Sequence, residues 1–330
     1  MKYIENVSNN PWYNLAFEEY CFRNLPKDED FVILWINEPA IIVGKNQNTI
    51  EEINSNYVEE NNIKIVRRVT GGGAVYHDYG NLNFSLITTV QGAERIDFGK
   101  INIPILKSLE KLGINAELTG RNDLTLDGKK FSGIAQSVWK GRVLNHGTIL
   151  FDTDLTVLSN ALNVKKDKIE SKGVKSVKSR VTNIRPYLNE DVDILTFKDL
   201  LLKNIFALNE LLPEEYELSD IQREEINKLY KEKYSTWEWN YGESPDFGYK
   251  NYKRFSFGSI DVRLKVKNGI IEDSKIYGDF FGVYDVSLLQ DKLNGQKYDK
   301  KNLEELLKDE PLEKYFGSIT KEEFLDLILE

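Results

Sequence analysis

Ile63-Lys64-Ile65-Val66 and Leu82-Asn83-Phe84-Ser85-Leu86 alternate apolar with polar side chains, the period of half-buried strands. Between them runs Arg67-Arg68-Val69-Thr70-Gly71-Gly72-Gly73-Ala74-Val75-Tyr76-His77-Asp78-Tyr79-Gly80-Asn81, so the glycines are expected in a turn joining two strands. Consecutive glycines cost conformational entropy, and a folded chain keeps them where the backbone takes positive φ or lies against something bulky. Turning amides form an anion-binding concavity, and Arg67 and Arg68 would add fixed charge with bidentate geometry. The plainer alternative is a Gly-rich hairpin with two solvated arginines; Tyr76-His77-Asp78 on the far flank weighs against it.

Continuous apolar runs at Phe31–Ile36 and Ile41–Val43 predict buried strands joined around Pro39. Asn10 as N-cap and Pro11 as first helical residue open a helix carrying Trp12, Leu15, Ala16, Tyr20 and Phe22. Thr49 with Glu52 reads as a capping box starting a helix to about Glu60, and Ile105, Leu109 and Leu112 share one face of another. A turn at Trp139–Gly141 and a strand over Val143–Phe151 come next, with helical patterns from Val192 to Leu211 and Ile221 to Tyr230. Gly242–Gly248 is a turn-rich break. Beyond it Val262, Leu264 and Val266 alternate with charged residues, Asn268-Gly269 makes a hairpin turn, and helices are expected around Leu288–Leu293, Leu303–Leu307 and Phe324–Leu329. Strand and helix mix without a repeated βα unit. The fold class is α+β, in two domains, 1–245 and 246–330.

A second glycine-punctuated stretch, Gly120 to Ala135, contains Asp127-Gly128, a two-residue hairpin turn that needs φ > 0 at both positions. A tight hairpin there pairs Leu126 with Lys129, Thr125 with Lys130, Leu124 with Phe131 and Asp123 with Ser132. Cross-strand partners share a face, so Lys130 rather than Lys129 falls with Asp123, Thr125 and Ser132.

Composition narrows the classes. A chain of 330 residues with net charge −9 is large enough for two domains and argues against a general nucleic-acid or anionic-membrane binder. No apolar run reaches spanning length, and the first residues look like neither signal nor transit peptide, which predicts a soluble, cytoplasmic protein. The single cysteine, Cys21, lies on the mostly apolar first helix and reads as a packed thiol; two histidines make a His-rich zinc site improbable. Lys165 to Arg185 is locally basic, either a solvated helix face or a docking edge for an acidic partner.

RRVTGGGAVYHDYGN (Arg67 to Asn81), GRNDLTLDGKKFSGIA (Gly120 to Ala135), HGTILF (His146 to Phe151), KGVKSVKSRVTN (Lys172 to Asn183) and STWEWNYG (Ser235 to Gly242) occur in the order found in two-domain bacterial lipoate protein ligases. The chain resembles that family, within the biotin and lipoate ligase superfamily. The resemblance implies a mixed-sheet catalytic domain like those of class II aminoacyl-tRNA synthetases and biotin ligases, with a small α+β accessory domain. It implies ATP-dependent activation of free lipoate to lipoyl-AMP, then transfer to a lysine of lipoyl domains in 2-oxoacid dehydrogenase complexes or of the glycine cleavage H protein. A monomer is expected.

The same resemblance assigns roles. Arg68, Gly73, Ala74, Val75 and Tyr76 would lie along lipoate and adenylate, with Thr70, Gly71, Gly72, His77, Asn81, Ser132, Gly133, His146, Gly147 and Thr148 completing the binding set. Lys130 matches the catalytic lysine that bridges acyl carbonyl and α-phosphate, in agreement with the hairpin register. Asn122 would contact nucleotide and Asp123 would help hold Mg²⁺. Lys178 and Arg180 would contact nucleotide or acceptor, while His77 and His146 would serve as positioning or structural residues. Threonine at position 70, where many relatives carry serine, adds a methyl expected to bear on chain-length preference. An octanoyl or lipoyl transferase using a cysteine, a biotin ligase and a non-catalytic lipoyl-domain binder are the competing readings.

Overall fold

Strand β2 (Phe31–Ile36) is apolar at every position because both of its faces are covered. Phe31, Ile33 and Trp35 pack with the first helix, Pro11–Asn24, whereas Val32, Leu34 and Ile36 pack with the helices Phe98–Lys111 and Ile194–Ala207. The computed structural model describes residues 1–89, 98–119, 122–162, 181–208, 210–241, 248–267, 269–298 and 300–329. In chain order the remaining strands are β1 (Lys2–Tyr3), β3 (Ala40–Val43), β4 (Lys64–Arg67), β5 (Val75–His77), β6 (Asn81–Thr89), β7 (Glu117–Thr119), β8 (Asp123–Leu126), β9 (Lys129–Trp139) and β10 (Arg142–Leu150). Then follow β11 (Tyr249–Phe255), β12 (Gly258–Lys267) and β13 (Ile270–Gly278).

The large sheet has the order β1-β2-β6-β10-β9-β8-β7 and is mixed, parallel at β1–β2 and antiparallel elsewhere. A smaller sheet, β4-β3-β5, stands beside it. The third sheet, β11-β12-β13, joins the helices Val286–Leu293, Leu312–Phe316 and Lys321–Leu329 around its own core, with Ile260, Val262, Leu264, Leu289, Phe316 and Phe324 fully buried. The expected α+β architecture is therefore present. Among the described residues no helix is long and apolar enough to cross a membrane.

Local signals hold where they are short-range. Asn10 Oδ1 accepts from Trp12 N and Tyr13 N at 3.0 and 3.1 Å, capping the first helix ahead of Pro11. Asp127 and Gly128 both take positive φ, 50° and 72°, and Lys140 and Gly141 do the same at the β9–β10 turn.

Three expectations are corrected. The glycine stretch does not close a hairpin: it joins β4 to β5 with β3 lying between them, because the apolar β3 takes the central place and pairs parallel with β4 and antiparallel with β5. Thr49 and Glu52 do not open one long helix. Asn48 and Asn54 precede two short ones, Thr49–Glu52 and Ser55–Glu60, and the Thr49 hydroxyl is taken by Asn240 O at 2.6 Å. The β8–β9 hairpin keeps Leu126↔Lys129 and Thr125↔Lys130, but a bulge then shifts the register to Leu124↔Ser132 and Asp123↔Gly133. Gly120, Arg121, the basic segment over 163–180 and the proposed boundary between 245 and 246 lie outside the described residues.

One buried cation ties the first helix to the sheet. Arg142, fully buried at the start of β10, donates to Leu25 O and Pro26 O at 2.7 and 2.8 Å and to Glu29 O at 3.2 Å, beyond the helix end. Arg142→Met strands those carbonyls, and the expected loss is about 3 kcal/mol in chemical denaturation.

Candidate functional site

A row of residues crosses the large sheet from β2 to β8. Trp35 pairs with Asn83, Asn83 with Thr148, and Asp123 with Gly133. Gly133 N donates to Thr148 Oγ1 at 3.2 Å, which completes the row. Above it runs a channel of about 120 Å³. Its floor is Trp35, Asn83, Thr148, Gly133, Ile134, Ala135, His146 and Gly147, and its opposite wall is Leu15, Ile42, Arg68, Gly72, Gly73, Ala74, Val75 and His77. Asn122, Lys130 and Phe281 also line it.

Lys130 Nζ lies 2.7 Å from Asp123 Oδ1, so lysine and carboxylate meet as the hairpin argument expected, although through the bulge rather than the simple register. Gly133 makes room for it: a Cβ there would stand 3.2 Å from Lys130 Nζ. The chain returns at Val181, which bridges to Lys130, and Thr182 N donates to Lys130 O at 2.9 Å. Asn122 Nδ2 donates to Ile134 O at 2.7 Å and so secures the strand entering this corner.

The two arginines do not act as free forks. Arg68, only 5% exposed, donates to Ile42 O (2.9 Å), Thr70 Oγ1 (3.0 Å), Gly71 O (2.7 Å) and Gly73 O (2.8 Å). Arg67 donates to Trp239 O, Gly44 O, Lys45 O, Gln47 O and Thr49 Oγ1. Their donors hold backbone carbonyls, so the bidentate anion clamp expected from sequence is replaced by two internal braces. Burial pushes both guanidinium groups down to about 10, which leaves them charged at neutral pH.

Thr70 is buried behind the channel wall, not along it. Glu18 accepts from Ser85 Oγ and from His146 Nδ1 (2.8 Å), and His146 Nε2 meets the Thr70 hydroxyl at 2.7 Å. With Nδ1 facing a carboxylate, the proton sits there and Nε2 accepts from Thr70, whose oxygen accepts from Arg68 Nε. His146 thus has both ring nitrogens occupied and positions the loop. Thr70 is not among the residues that line the channel.

His77 differs. It is buried, its Nδ1 meets Asn37 Nδ2 at 3.0 Å, and its Nε2 has no hydrogen-bond partner among the described residues. Burial first, then the charge of Arg68, pushes its pKa from 6.5 down to about 3.

Of the remaining expected residues, Tyr76, Asn81, Ser132 and Gly71 fall outside the lining, whereas Gly72 and Gly147 are part of it. Tyr76 faces away and packs with Ile41, Val43, Ile53 and Val58. Asn81 is fully buried and donates to Asn83 Oδ1 at 2.9 Å, and Ser132 is buried beside the floor. Gly71 abuts Phe280, where a Cβ would come within 2.4 Å of the carbonyl oxygen. Gly72 takes φ 92°, and a Cβ there would meet the Phe281 ring at 2.8 Å. Gly147 passes over Phe84, 2.5 Å from such a Cβ. Lys178 and Arg180 lie outside the described residues. Phe281 was not singled out in sequence because it comes from the C-terminal unit, and Trp239 and Asn240, within a quoted motif, had no assigned role.

The family of lipoyl protein ligase A/B catalytic domains matches residues 10–206, and that of the bacterial lipoate protein ligase C-terminus matches residues 244–328. The chain belongs to the lipoate protein ligase family. It is 50% identical over 331 residues to the lipoate-protein ligase LplJ of Bacillus subtilis, covering 99% of this chain and 100% of that one. Its structure resembles P. falciparum LipL1 in complex with lipoate, at 27% identity and TM-score 0.79, covering 100% of this chain and 98% of that one. A lipoate-protein ligase A bound with ATP is similar at 28% identity and TM-score 0.63, covering 73% and 98%.

Thr70→Val leaves Arg68 Nε and His146 Nε2 unpaired and is expected to cost about 2 kcal/mol, whereas Thr70→Ser stays within about 0.5 kcal/mol; urea denaturation of both variants distinguishes them. His77 gives a second expectation, since the unfolded chain takes up a proton near pH 6.5 that the folded ring refuses until about 3. This contribution is present above pH 6.5 and is lost as pH falls toward 3. The unfolding free energy of the wild type should therefore drop more steeply across that window than that of His77→Gln.

Proposed function

We propose that the chain is an ATP-dependent lipoate protein ligase that attaches lipoate to a protein lysine in two steps. The lipoate carboxylate attacks the α-phosphorus of ATP, the bond to pyrophosphate breaks, and lipoyl-AMP remains. The amine of an acceptor lysine then attacks the acyl carbon, loses a proton, and AMP departs. The observation that carries this reading is the shared channel, with Lys130 beside Gly133 at one end and the apolar Trp35, Leu15 and Ile42 lining its length. Lipoate has the matching form, an apolar chain with a single carboxylate. The lipoate and ATP complexes of the relatives support the choice of substrates.

Lys130 is the proposed catalytic residue, a cation fixed where negative charge develops in both steps. Arg68 shapes the glycine loop and adds a second positive charge to the wall. Asn122 and Thr148, both on the lining, remain candidates for polar contact with the substrates. Among the described residues no cluster of three or more His, Cys, Asp or Glu side chains forms a metal site. Asp123 still fits the expected Mg²⁺, since this ion is commonly held by one or two carboxylates plus substrate phosphates, and Asp123 Oδ2 is not used by Lys130. When bound, the ion supplies charge neutralisation on the phosphates.

We read residues 1–245 as the catalytic domain and 246–330 as an accessory domain whose Phe281 closes one side of the channel. The acceptors we propose are lipoyl domains of 2-oxoacid dehydrogenase complexes or the glycine cleavage H protein. The cysteine-dependent transferase reading lacks its thiol here: Cys21 is fully buried in the first helix, burial pushes its pKa up, and it does not line the channel.

Lipoate-dependent exchange of pyrophosphate into ATP tests the reading. Lys130→Ala should lose about a hundredfold or more in rate, by analogy with removal of one transition-state donor. Mass measurement of an acceptor domain should show one lipoyl addition with wild type. Exchange that does not depend on lipoate would overturn the assignment.

A further inference from the structure

The asparagines at the start of the chain set the direction of hydrogen bonding deep inside the channel. Ser8 N donates to Asn6 Oδ1 at 3.1 Å, so Asn6 turns its amide nitrogen to Asn14 Oδ1, 3.0 Å away. Asn14 Nδ2 then donates to Ser8 O at 2.9 Å and to Asn37 Oδ1 at 2.8 Å. With its oxygen so engaged, Asn37 presents Nδ2 to His77 Nδ1. Because a backbone amide anchors Asn6 and a backbone carbonyl anchors Asn14, every side-chain amide in the series has one consistent orientation. His77 Nδ1 must accept, and a neutral imidazole then carries its proton on Nε2.

That Nε2–H is the buried atom without a hydrogen-bond partner among the described residues, on a side chain 3% exposed that lines the channel beside Trp35. Most neighbouring polar atoms are engaged, although Asn81 Oδ1 has no partner among the described residues. Asn83 Nδ2 donates to Trp35 O, its Oδ1 accepts from Asn81, and Trp35 Nε1 donates to Ser85 Oγ. The corner is also far from Lys130. Trp35 on β2 and Gly133 on β9 are three strand steps apart, roughly 14 Å at ordinary strand spacing. An acyl chain with its carboxylate at Lys130 would bring its tail here.

The tail of lipoate is a five-membered ring with two sulfurs, each a weak hydrogen-bond acceptor, whereas the tail of octanoate has no acceptor. We propose that His77 is a specificity-determining residue, whose Nε2–H takes a dithiolane sulfur and thereby favours lipoate over an all-carbon acid of the same length. The inference rests on reading the channel as a lipoate site. A site built around a donor rejects an analogue that leaves the donor buried and unpaired.

The test compares lipoate with 5-cyclopentylpentanoate, which keeps the chain and ring and lacks both sulfurs, by calorimetric titration of the full chain. Wild type should bind the carbocycle about tenfold more weakly. In His77→Phe the two acids should bind within about twofold, and His77→Gln, which keeps an N–H donor, should restore part of the preference. Equal affinities in wild type would overturn the proposal, and that comparison requires no variant to fold. An unchanged preference in folded His77→Phe would equally overturn it, since the sulfur would then be read elsewhere. Failure of wild type to bind either acid would instead remove the lipoate reading of the channel, a result distinguishable from the loss of sulfur preference alone.

Discussion

The guanidinium of Arg68 braces the glycine loop in the shape that forms one wall of the channel over the sheet. Burying such a cation costs several kcal/mol, and among the described residues no carboxylate touches it directly. Its compensation comes from the carbonyls of Ile42, Gly71 and Gly73 and the hydroxyl of Thr70, with Glu18 two bonds further along through His146. Loop shape and wall charge are therefore one feature, because the group that bends the loop also supplies the positive potential. The crowding around it explains the local glycines. A Cβ on Gly72 would lie 3.1 Å from Arg68 Nη2, and one on Gly44 would lie 1.9 Å from Gly72 O. No side chain fits at Gly44 unless the loop and its brace both move.

The direction of the channel follows from strand register. Because Trp35, Asn83, Thr148 and Gly133 align across neighbouring strands, the floor runs perpendicular to the strands and its length is set by their number, not by the length of any one of them. Residues far apart in sequence are thereby placed in a graded series, from aromatic at β2 to ion pair at β8–β9. Gly133 and Gly147 serve this floor by removing side chains where Lys130 and Phe84 must pass. The C-terminal unit completes the enclosure with Phe281, and Lys45 pairs with Asp285 at 2.7 Å across the same contact. That pair is partly exposed, so it contributes little energy and mainly orients the contact.

What could be read beforehand was local in origin. The Asn10-Pro11 start, the Asp127-Gly128 turn and the doubly buried β2 depend on neighbouring residues and were legible as they stand. The bulge at Leu124 was not, because Leu124 and Phe131 are apolar in either register and the pattern cannot distinguish an extra residue. The arginines were misread for a related reason. Their partners are mostly the carbonyls of Ile42, Gly44, Lys45, Gln47, Gly71, Gly73 and Trp239, and every residue type has a carbonyl, so composition carries no trace of the pairing. Tyr76 and Asn81 were grouped with the site by motif membership, yet strand alternation sends Tyr76 to the opposite face of its small sheet.

The two histidines show how distant backbone groups determine the chemistry of a pocket. His146 faces a carboxylate with Nδ1, which fixes its proton there and leaves Nε2 to accept from Thr70. His77 faces an amide nitrogen with Nδ1, which fixes the opposite tautomer and leaves its Nε2–H without a hydrogen-bond partner among the described residues. Neither ring chooses its own state. One is set by Glu18 on the first helix and the other by asparagines that precede and follow the cap of that same helix. The capped N-terminus of Pro11–Asn24 therefore does more than begin a helix: it positions Asn14 and Glu18, one turn apart on the buried face, and through them sets one ring to brace the loop and the tautomer of the other, which lines the channel.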